Sequence, residues 1–453
     1  MKIIIFGCGK IGKSILSSLS REEHDIAVID TDETVIANIA DAFDVMGICG
    51  SGTSCEALAR AGVQSAELFI AATGSDEINM LSCFLAKRMG AAHTVARIVK
   101  PEYSGEEQEF LKRQLELSMV INPYLLTAQT IHNILKFPSA VRSETFTRRS
   151  FEMAELAVKS GSAFDGAVLS SLRSKLGIPF LICCVLRDKT VFIPKGDFTL
   201  MAGDKIGLLA TPDDMHRVLK TVGILGKNAK NIMIMGGSRV AMYLADAIAK
   251  NGHSVKIVEK DPARCNELCA ELPRSVNVVC GDGARHELLK EEGLMETDAF
   301  VSLTGVDEEN ILSSFYAFDC KVPRVITKAN QEGFTAIGDK LGLDCIISPS
   351  RIAADVVTQY ARALQNSLGS KIETLYSLMN GSAEALEFLV APDFRQQNIP
   401  LKDLKFKNDT LLAGIIRGNK RLIPGGNDVI LPNDRVIVIA ANQKLYDLSD
   451  IML

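Results

Sequence analysis

What the chain lacks narrows it first. No cluster of lysine and arginine is long enough to follow a nucleic-acid backbone, and the formal charge of −5 with a pI near 5.8 runs against one, so nucleic acid is not an expected partner. No apolar run approaches the roughly 20 residues of a membrane span. The longest, Leu176 to Leu186, has 11 residues and is broken by Gly177 and Pro179. None of the 11 cysteines stands in C-x-x-C spacing; Cys8, Cys83, Cys183, Cys184 and Cys345 lie inside apolar patterns and read as small buried hydrophobes in a reducing compartment. Cys265 and Cys269 share a helix face with no histidine beside them, and they too read as structural. The six histidines are scattered, without metal or triad spacing, so neither a metal centre nor a hydrolytic triad is expected. Lys2 leads at once into a strand and a glycine turn, which is not the pattern of a signal peptide. The expectation is a soluble protein with no direct membrane insertion, reaching any membrane only through a partner.

What is present begins at the first residues. The apolar run Ile3 to Phe6 passes straight into Gly7-Cys8-Gly9-Lys10-Ile11-Gly12, and a second run, Ala27-Val28-Ile29, ends at Asp30. Ile11, Ile15, Leu16 and Leu19 recur at helical spacing between the two, while the short continuous runs read as buried strands. Strand, glycine turn, helix, strand and terminal acid together form the dinucleotide fingerprint. Gly7 permits the tight turn, Gly9 lets backbone N–H groups approach a pyrophosphate, and Gly12 lets the helix pack on the strand. The helix N-terminus adds unpaired donors and partial positive charge. Asp30, 18 residues past Gly12, is placed to accept from an adenosine ribose.

Strand and helix then alternate. Strands are predicted over Val45–Ile48, Leu68–Ala72, His93–Ile98 and Met119–Ile121, with helices over Glu33–Asp41, Cys55–Ala61, Glu77–Met89 and Glu107–Leu115, and a further one starting at Asn122-Pro123 and reaching Lys136. Such alternation predicts a six-stranded parallel sheet covered by helices on both faces. Phe137-Pro138 ends it. Strands at Glu152–Lys159 (half exposed), Phe180–Leu186, Val191–Ile193 and Ile206–Ala210, with a turn at Asp188-Lys189 and a helix over Asp213–Val222, predict a small α+β module.

The same programme then runs again. Ile232–Met235 followed by Gly236-Gly237-Ser238-Arg239-Val240-Ala241 repeats the opening, and Glu259 stands where Asp30 stood. Thr304-Gly305-Val306-Asp307-Glu308-Glu309-Asn310 answers Thr73-Gly74-Ser75-Asp76-Glu77-Ile78-Asn79, and Lys328 answers Arg97. Arg187 pairs with Arg417 and Asp204 with Asp434 at a spacing of 230. The fold class is therefore α/β: two Rossmann-like, doubly wound parallel-sheet domains, each followed by a small α+β domain. The expected boundaries are 1–136, 137–226, 227–366 and 367–453.

Capping explains Asp76 and its acidic neighbour, but not the survival of Thr, Asp, Glu and Asn together in both halves. Because the fourth strand lies beside the first at the switch point, Thr73 and Asp76, with Thr304 in the second copy, are expected at the pocket edge. Arg97, Lys328, Lys10 and Arg239 are cations on the cofactor edge in both copies, which suggests phosphate contact. The small modules bring no pair of titratable groups in apolar surroundings to face a nicotinamide, so the chain reads as non-enzymatic; an NAD-dependent oxidoreductase with duplicated architecture is the alternative.

With these motifs in view, the chain resembles the regulator of potassium conductance (KTN/RCK) family over its whole length, through Gly7-x-Gly9-x-x-Gly12, Asp30, Asp76-Glu77-x-Asn79 and their repeats. The resemblance implies a cytosolic regulatory subunit that binds NAD(H), or alternatively ATP or ADP. It implies docking on the inner face of the cell membrane against a Trk- or Ktr-type potassium-translocating partner, and ring assembly, expected here as a homotetramer. It places nucleotide contacts on Gly7, Gly9, Lys10, Ile11, Asp30 and Arg97. Cys8 and Gly12 complete that turn, and Gly236, Ser238, Arg239, Val240 and Glu259 form the second candidate site. There Ser238 and Ala241 replace the second and third glycines, so a weaker dinucleotide site is expected.

Overall fold

The computed structural model describes residues 1–22, 24–136, 142–146, 150–223, 229–343, 345–365 and 371–453. The Phe137-Pro138 break and the expected boundaries after 136, 226 and 366 fall at or outside the edges of these segments. The first half opens with β1 (Lys2–Phe6), α1 (Lys10–Leu19), β2 (Asp25–Asp30), α2 (Glu33–Ala42), β3 (Met46–Cys49), α3 (Cys55–Arg60) and β4 (Leu68–Ala71). It continues with α4 (Asp76–Met89), β5 (His93–Arg97), α5 (Glu106–Gln114), β6 (Met119–Ile121) and α6 (Pro123–Lys136). These six strands form one parallel sheet in the order β3-β2-β1-β4-β5-β6. Its centre is built from runs such as Ile3-Ile4-Ile5, buried on both faces because helices cover both.

The first small module follows: β7 (Arg142–Thr145), β8 (Glu152–Ala157), α7 (Leu169–Leu176), β9 (Leu181–Arg187), β10 (Thr190–Phe192), β11 (Lys205–Ala210) and α8 (Pro212–Thr221). The second half repeats the first with β12 (Asn231–Met235), α9 (Arg239–Lys250), β13 (Ser254–Glu259), α10 (Pro262–Glu271), β14 (Val276–Cys280), α11 (His286–Glu291) and β15 (Ala299–Ser302). Then come α12 (Asp307–Asp319), β16 (Val325–Lys328), α13 (Glu332–Lys340), β17 (Ile346–Ile347) and α14 (Pro349–Gln365). Its parallel sheet, β14-β13-β12-β15-β16-β17, has the same order. The second small module holds β18 (Lys371–Leu378), β19 (Ala383–Leu389), β20 (Thr410–Arg417), β21 (Lys420–Leu422) and β22 (Arg435–Ala441). Both small sheets are antiparallel and five-stranded, ordered β10-β9-β11-β8-β7 and β18-β19-β22-β20-β21.

The last helix of each Rossmann-like unit is exchanged. Ala128, Ile131, Ile134 and Leu135 of α6 pack with Leu244, Ala245 and Ile248 of α9 in the second half, and Ala354, Val357 and Ala361 of α14 pack with Ile15, Leu16 and Leu19 of α1 in the first. The small residues of α14 let the two helix backbones come close. The helix reaching Lys136 is expected from the sequence, but nothing in the sequence says which sheet it covers.

The small modules pack on each other too. Met153, Cys183, Cys184 and Leu209 share a cluster with Leu378, Met379, Ala383 and Ile437. This corrects the expectation of a half-exposed strand at Glu152–Lys159. In β8 the other face, with Ala154 and Leu156, meets its own module's core, and Glu155 Oε1 accepts from the Met379 amide at 3.0 Å. Two elements, β7 and α7, were not expected. The strand has no apolar alternation, and the helix reads Leu-Ser-Ser-Leu-Arg-Ser-Lys-Leu, rich in serines that favour turns.

One internal tie appears twice. Arg187 reaches Asp204 through Nε and Nη2, each at 2.7 Å, and Arg417 reaches Asp434 in the same way at 2.9 and 2.7 Å. Each carboxylate also accepts the amide three residues before it, from Met201 and Leu431. The bidentate fork closes the turn that leads into β11 and into β22.

Candidate nucleotide clefts

At the first turn, Gly7 has φ +86°, and a Cβ there would lie 2.8 Å from the Thr73 amide nitrogen, so no other residue fits. Around Gly9 a Cβ would meet nothing within 4 Å, leaving the backbone open to a ligand. Gly12 departs from its expected role. A Cβ there would stand 1.9 Å from the carbonyl oxygen of Gly7, whereas Ala72 Cβ, just past the end of β4, is 3.8 Å away. The turn's own carbonyl demands this glycine, more than helix–strand packing does. Gly9 caps α1 without a side-chain bond, so among the described residues no capping side chain takes up the amides of the first helical turn, those of Lys10 and Ile11 included.

The Cys8 amide donates to Asp30 Oδ2 at 2.7 Å, and the Asp32 amide donates to Oδ1 at 3.0 Å. Asp30 thus ties the glycine turn to the start of α2. Burial, with Asp30 adding repulsion, pushes the Cys8 thiol up to about 12, so Cys8 contributes its backbone and not a nucleophile.

The second turn keeps this plan. Gly236 has φ +94° and stands against the Thr304 amide as Gly7 does against Thr73. The Gly237 amide donates to Glu259 Oε2, and the Asp261 amide to Oε1 at 2.8 Å. Ser238 caps α9 through its Oγ, which accepts from Ala241 at 3.4 Å, and Val240 is buried beneath the turn. A cavity of about 340 Å³ opens here, lined by Gly236, Ser238, Glu259, Arg264, Asp282 and Thr304 among others.

The structure accounts for the repeated tetrad. Asn79, fully buried, accepts from the Thr73 amide at 2.9 Å and its hydroxyl at 2.7 Å, and donates to the carbonyls of Thr73 and Arg97 at 3.3 and 2.8 Å. Asn310 does the same with Thr304 and Lys328. The asparagine therefore splices the end of the fourth strand to the end of the fifth, holding Thr73 and Thr304 at the cleft mouth. Asp76 is buried as well; its Oδ2 accepts from Val99 and Lys100 at 2.8 and 2.7 Å, and Asp307 accepts from Asn330 and Gln331 in the same manner. These acids shape the cleft wall from behind.

The four cations meet across the two halves. Arg97 donates to the Thr73 carbonyl at 2.7 Å and to the Tyr124 hydroxyl at 3.4 Å. Its guanidinium and that of Arg239, from the second glycine turn, each lie 5.9 Å from the centre of the Tyr124 ring. Burial lowers the Lys328 ammonium's pKa; Asp307 opposes that shift, and Lys10 of the first turn adds to it by repulsion. Arg239 of the second turn thus shares the Tyr124 ring with Arg97 of the first half, and Lys10 of the first turn acts electrostatically on Lys328 of the second. The sequence names all four cations but not this pairing. It also passes over Tyr124, for which no sequence signal exists, and Arg264, whose signal is a basic residue five positions past Glu259.

Among the described residues no group of histidine, cysteine and acidic side chains could hold a metal ion, and no helix is long and apolar enough to cross a membrane. The TrkA-N domain family matches residues 3–123 and 232–349, and the TrkA-C domain family matches 153–223 and 386–453. A Trk system potassium uptake protein TrkA homolog of Archaeoglobus fulgidus is 31% identical over 453 residues, covering 100% of both chains. The Trk system potassium uptake protein TrkA of Halomonas elongata is 27% identical over 449 residues, covering 98% of this chain and 96% of that one. Among solved structures, the GsuK channel bound to NAD superposes with a TM-score of 0.63 at 17% identity, over 97% of this chain and 77% of that one, which is a likeness of fold.

Proposed function

The chain belongs to the TrkA family, with TrkA-N and TrkA-C domains in tandem, and from that premise we propose that it is a nucleotide-sensing regulatory subunit of a Trk-type potassium uptake system. It binds NAD(H), with ATP or ADP as the alternative ligand, performs no chemistry on it, and acts on a membrane potassium-translocating partner at the cytoplasmic face. The names of its relatives support the potassium system, and the NAD bound to the structurally similar channel supports the ligand.

The observation that carries this reading is the meeting of glycine-turn and fifth-strand cations from the two halves: Arg239 shares the Tyr124 ring with Arg97, and Lys10 repels Lys328. A nucleotide phosphate at either glycine turn adds negative charge at this junction and relieves the repulsion. Its binding energy then favours one angle between the halves over another, which is the differential interaction that a ligand-driven switch requires. Such a change of angle, passed to a partner through an oligomer, is how a subunit without a catalytic group can regulate transport.

Assembly as a homotetramer fits the exposed surface. On α4, Ile78 and Leu81 are 42% and 50% exposed; on α12, Leu312 and Phe315 are 62% and 40% exposed. Leu81 matches Leu312 and Phe84 matches Phe315 in the repeat, so one apolar helix face is presented in both halves. Repeated patches of this kind suit a closed symmetric ring.

The test is co-purification with the potassium-translocating protein of the same organism, followed by transport measured in vesicles with and without NADH. Nucleotide-dependent transport that needs this chain is the expected result. Steady NADH oxidation with a carbonyl substrate would replace the regulatory reading with an enzymatic one.

A further inference from the structure

The two clefts differ most where an adenosine ribose would lie. In the first, Asp30 is followed by Thr31 and Asp32, and Val35 stands five positions on. In the second, Glu259 is followed by Lys260, and Arg264 occupies the place of Val35. Asp261 caps α10 and Pro262 begins it, so Arg264 falls in the first turn, beside the glycine loop. Its Nε donates to the Gly237 carbonyl and its Nη1 to Glu267, both at 2.7 Å. The third nitrogen, Nη2, is shielded from solvent and meets no acceptor among the described residues.

A guanidinium nitrogen buried without an acceptor is costly, and two bonds hold this one in place. It lines the 340 Å³ cavity together with Lys260, whose nearest carboxylate, on Glu309, is 3.9 Å away. Glu259 is held as Asp30 is, each oxygen accepting a backbone amide, here from Gly237 and Asp261, so the difference between the two clefts lies in the cations beside the carboxylate. Both clefts carry two acids here, Asp30 and Asp32 in the first and Glu259 and Asp261 in the second, but only the second adds two cations, Lys260 and Arg264, where the first has Thr31 and Val35. Glu267 and Glu309 engage these cations in part, and Arg264 keeps Nη2 for a further acceptor.

We propose that Lys260 and Arg264 make the second cleft a site for an adenosine nucleotide phosphorylated on its ribose, of the NADP(H) class, while the first cleft takes only the unphosphorylated ribose. Lys260 supplies a mobile ammonium at the cavity rim, and Arg264 presents its unpaired Nη2 to a phosphate oxygen. The inference rests on both turns being nucleotide sites and adds that the halves differ in which nucleotide they read.

Calorimetry on the full chain tests it, using NADPH and 2′,5′-ADP beside NADH and 5′-ADP. NADPH and 2′,5′-ADP are expected to bind with marked salt dependence. In a Lys260→Thr/Arg264→Val variant, which installs the first half's residues, their affinity should fall by about tenfold or more, with NADH binding at the first cleft retained. Arg264→Lys, which keeps the charge but not the fork, guards against misfolding and should lose part of the affinity; a thermal melt of each variant accompanies the titration. NADPH affinity unchanged by the double substitution overturns the proposal. NADH binding without NADPH binding also overturns it while leaving the nucleotide reading intact, and binding of neither removes both.

Discussion

Arg362 and Glu22 are 340 positions apart in sequence, yet the arginine Nε donates to Glu22 Oε2 at 2.7 Å inside the protein, where both side chains are almost wholly shielded. The guanidinium also reaches Glu384 Oε2 at 2.6 Å, and Lys444 pairs with the same carboxylate. One side chain of α14 thereby joins the end of α1 to the second small module.

Replacing Arg362 by methionine leaves two buried carboxylates without their main partner. Breaking a buried pair from one side costs about 3–5 kcal/mol. Urea unfolding of Arg362→Met is expected to show a loss of that size, with Glu22→Gln in the same background recovering part of it. A midpoint equal to that of the unmodified chain would mean that the cluster is energetically silent.

The asparagine splice offers a second measurement. Asn79→Ala strips partners from the Thr73 amide and the Arg97 carbonyl, at about 1–3 kcal/mol for each buried group left unpaired. Asn310→Ala should behave alike, because its bonds match one for one. Equal losses in thermal melts of the two variants are expected; a near-neutral Asn79→Ala would return the tetrad to a ligand-contacting role.

Acid sensitivity follows from Asp204. Burial acts to raise its pKa, but bonds from Arg187 and the Met201 amide outweigh that, and the carboxyl titrates below its usual range. A depressed folded-state pKa contributes stability that is complete above the ordinary carboxylate pKa and fades as pH falls through the lowered value. Asp204→Asn should therefore be less stable than the parent at pH 7, and the difference should shrink as pH drops below the ordinary carboxylate range. A gap that widens in acid would reverse the assignment.

Asp30→Ala is expected to weaken NADH binding at the first cleft and narrow its margin over NADPH there. In the proposed site the carboxylate would accept from ribose hydroxyls and repel a 2′-phosphate, and it holds the Cys8 amide in place. Fluorescence titration of NADH checks the first effect, and competition by NADPH the second. Unaltered NADH affinity would remove Asp30 from the site.

Glutamate at Leu81 and Leu312 together should dissolve the proposed ring contacts without disturbing the core, since both side chains are exposed. Light scattering of the unmodified chain is expected to give a tetramer and that of the double variant a smaller species. A monomer for the unmodified chain, with and without NADH, would leave the assembly unsupported.

Much of this architecture is legible in the residues because its signals are local. The runs Ile3–Phe6 and Ile232–Met235, the glycine turns and the acids at Asp30 and Glu259 each declare an element within a few positions, and repetition confirms their order. The invisible parts are non-local. The apolar face of α6 does not reveal that it belongs to the other sheet, and the buried outer face of β8 depends on a module more than 200 residues away in sequence, as the bond from Met379 to Glu155 shows. Gly12 illustrates a third kind of miss: its position is obvious, but the atom that forbids a side chain is the carbonyl of Gly7.

The exchange of α6 and α14 has a consequence for how such a chain can change over time. Two identical copies trading their last helices would be bound to mirror each other, because every substitution in one would appear in its mate. Here the traded helices belong to a single polypeptide, so the reciprocal embrace survives while the two sides are written independently. That independence is what allows Gly9 at one turn and Ser238 at the other, or Val35 opposite Arg264. Severing the chain midway would strip each sheet of the helix that covers it, so the freedom to differ comes with an obligation to stay joined.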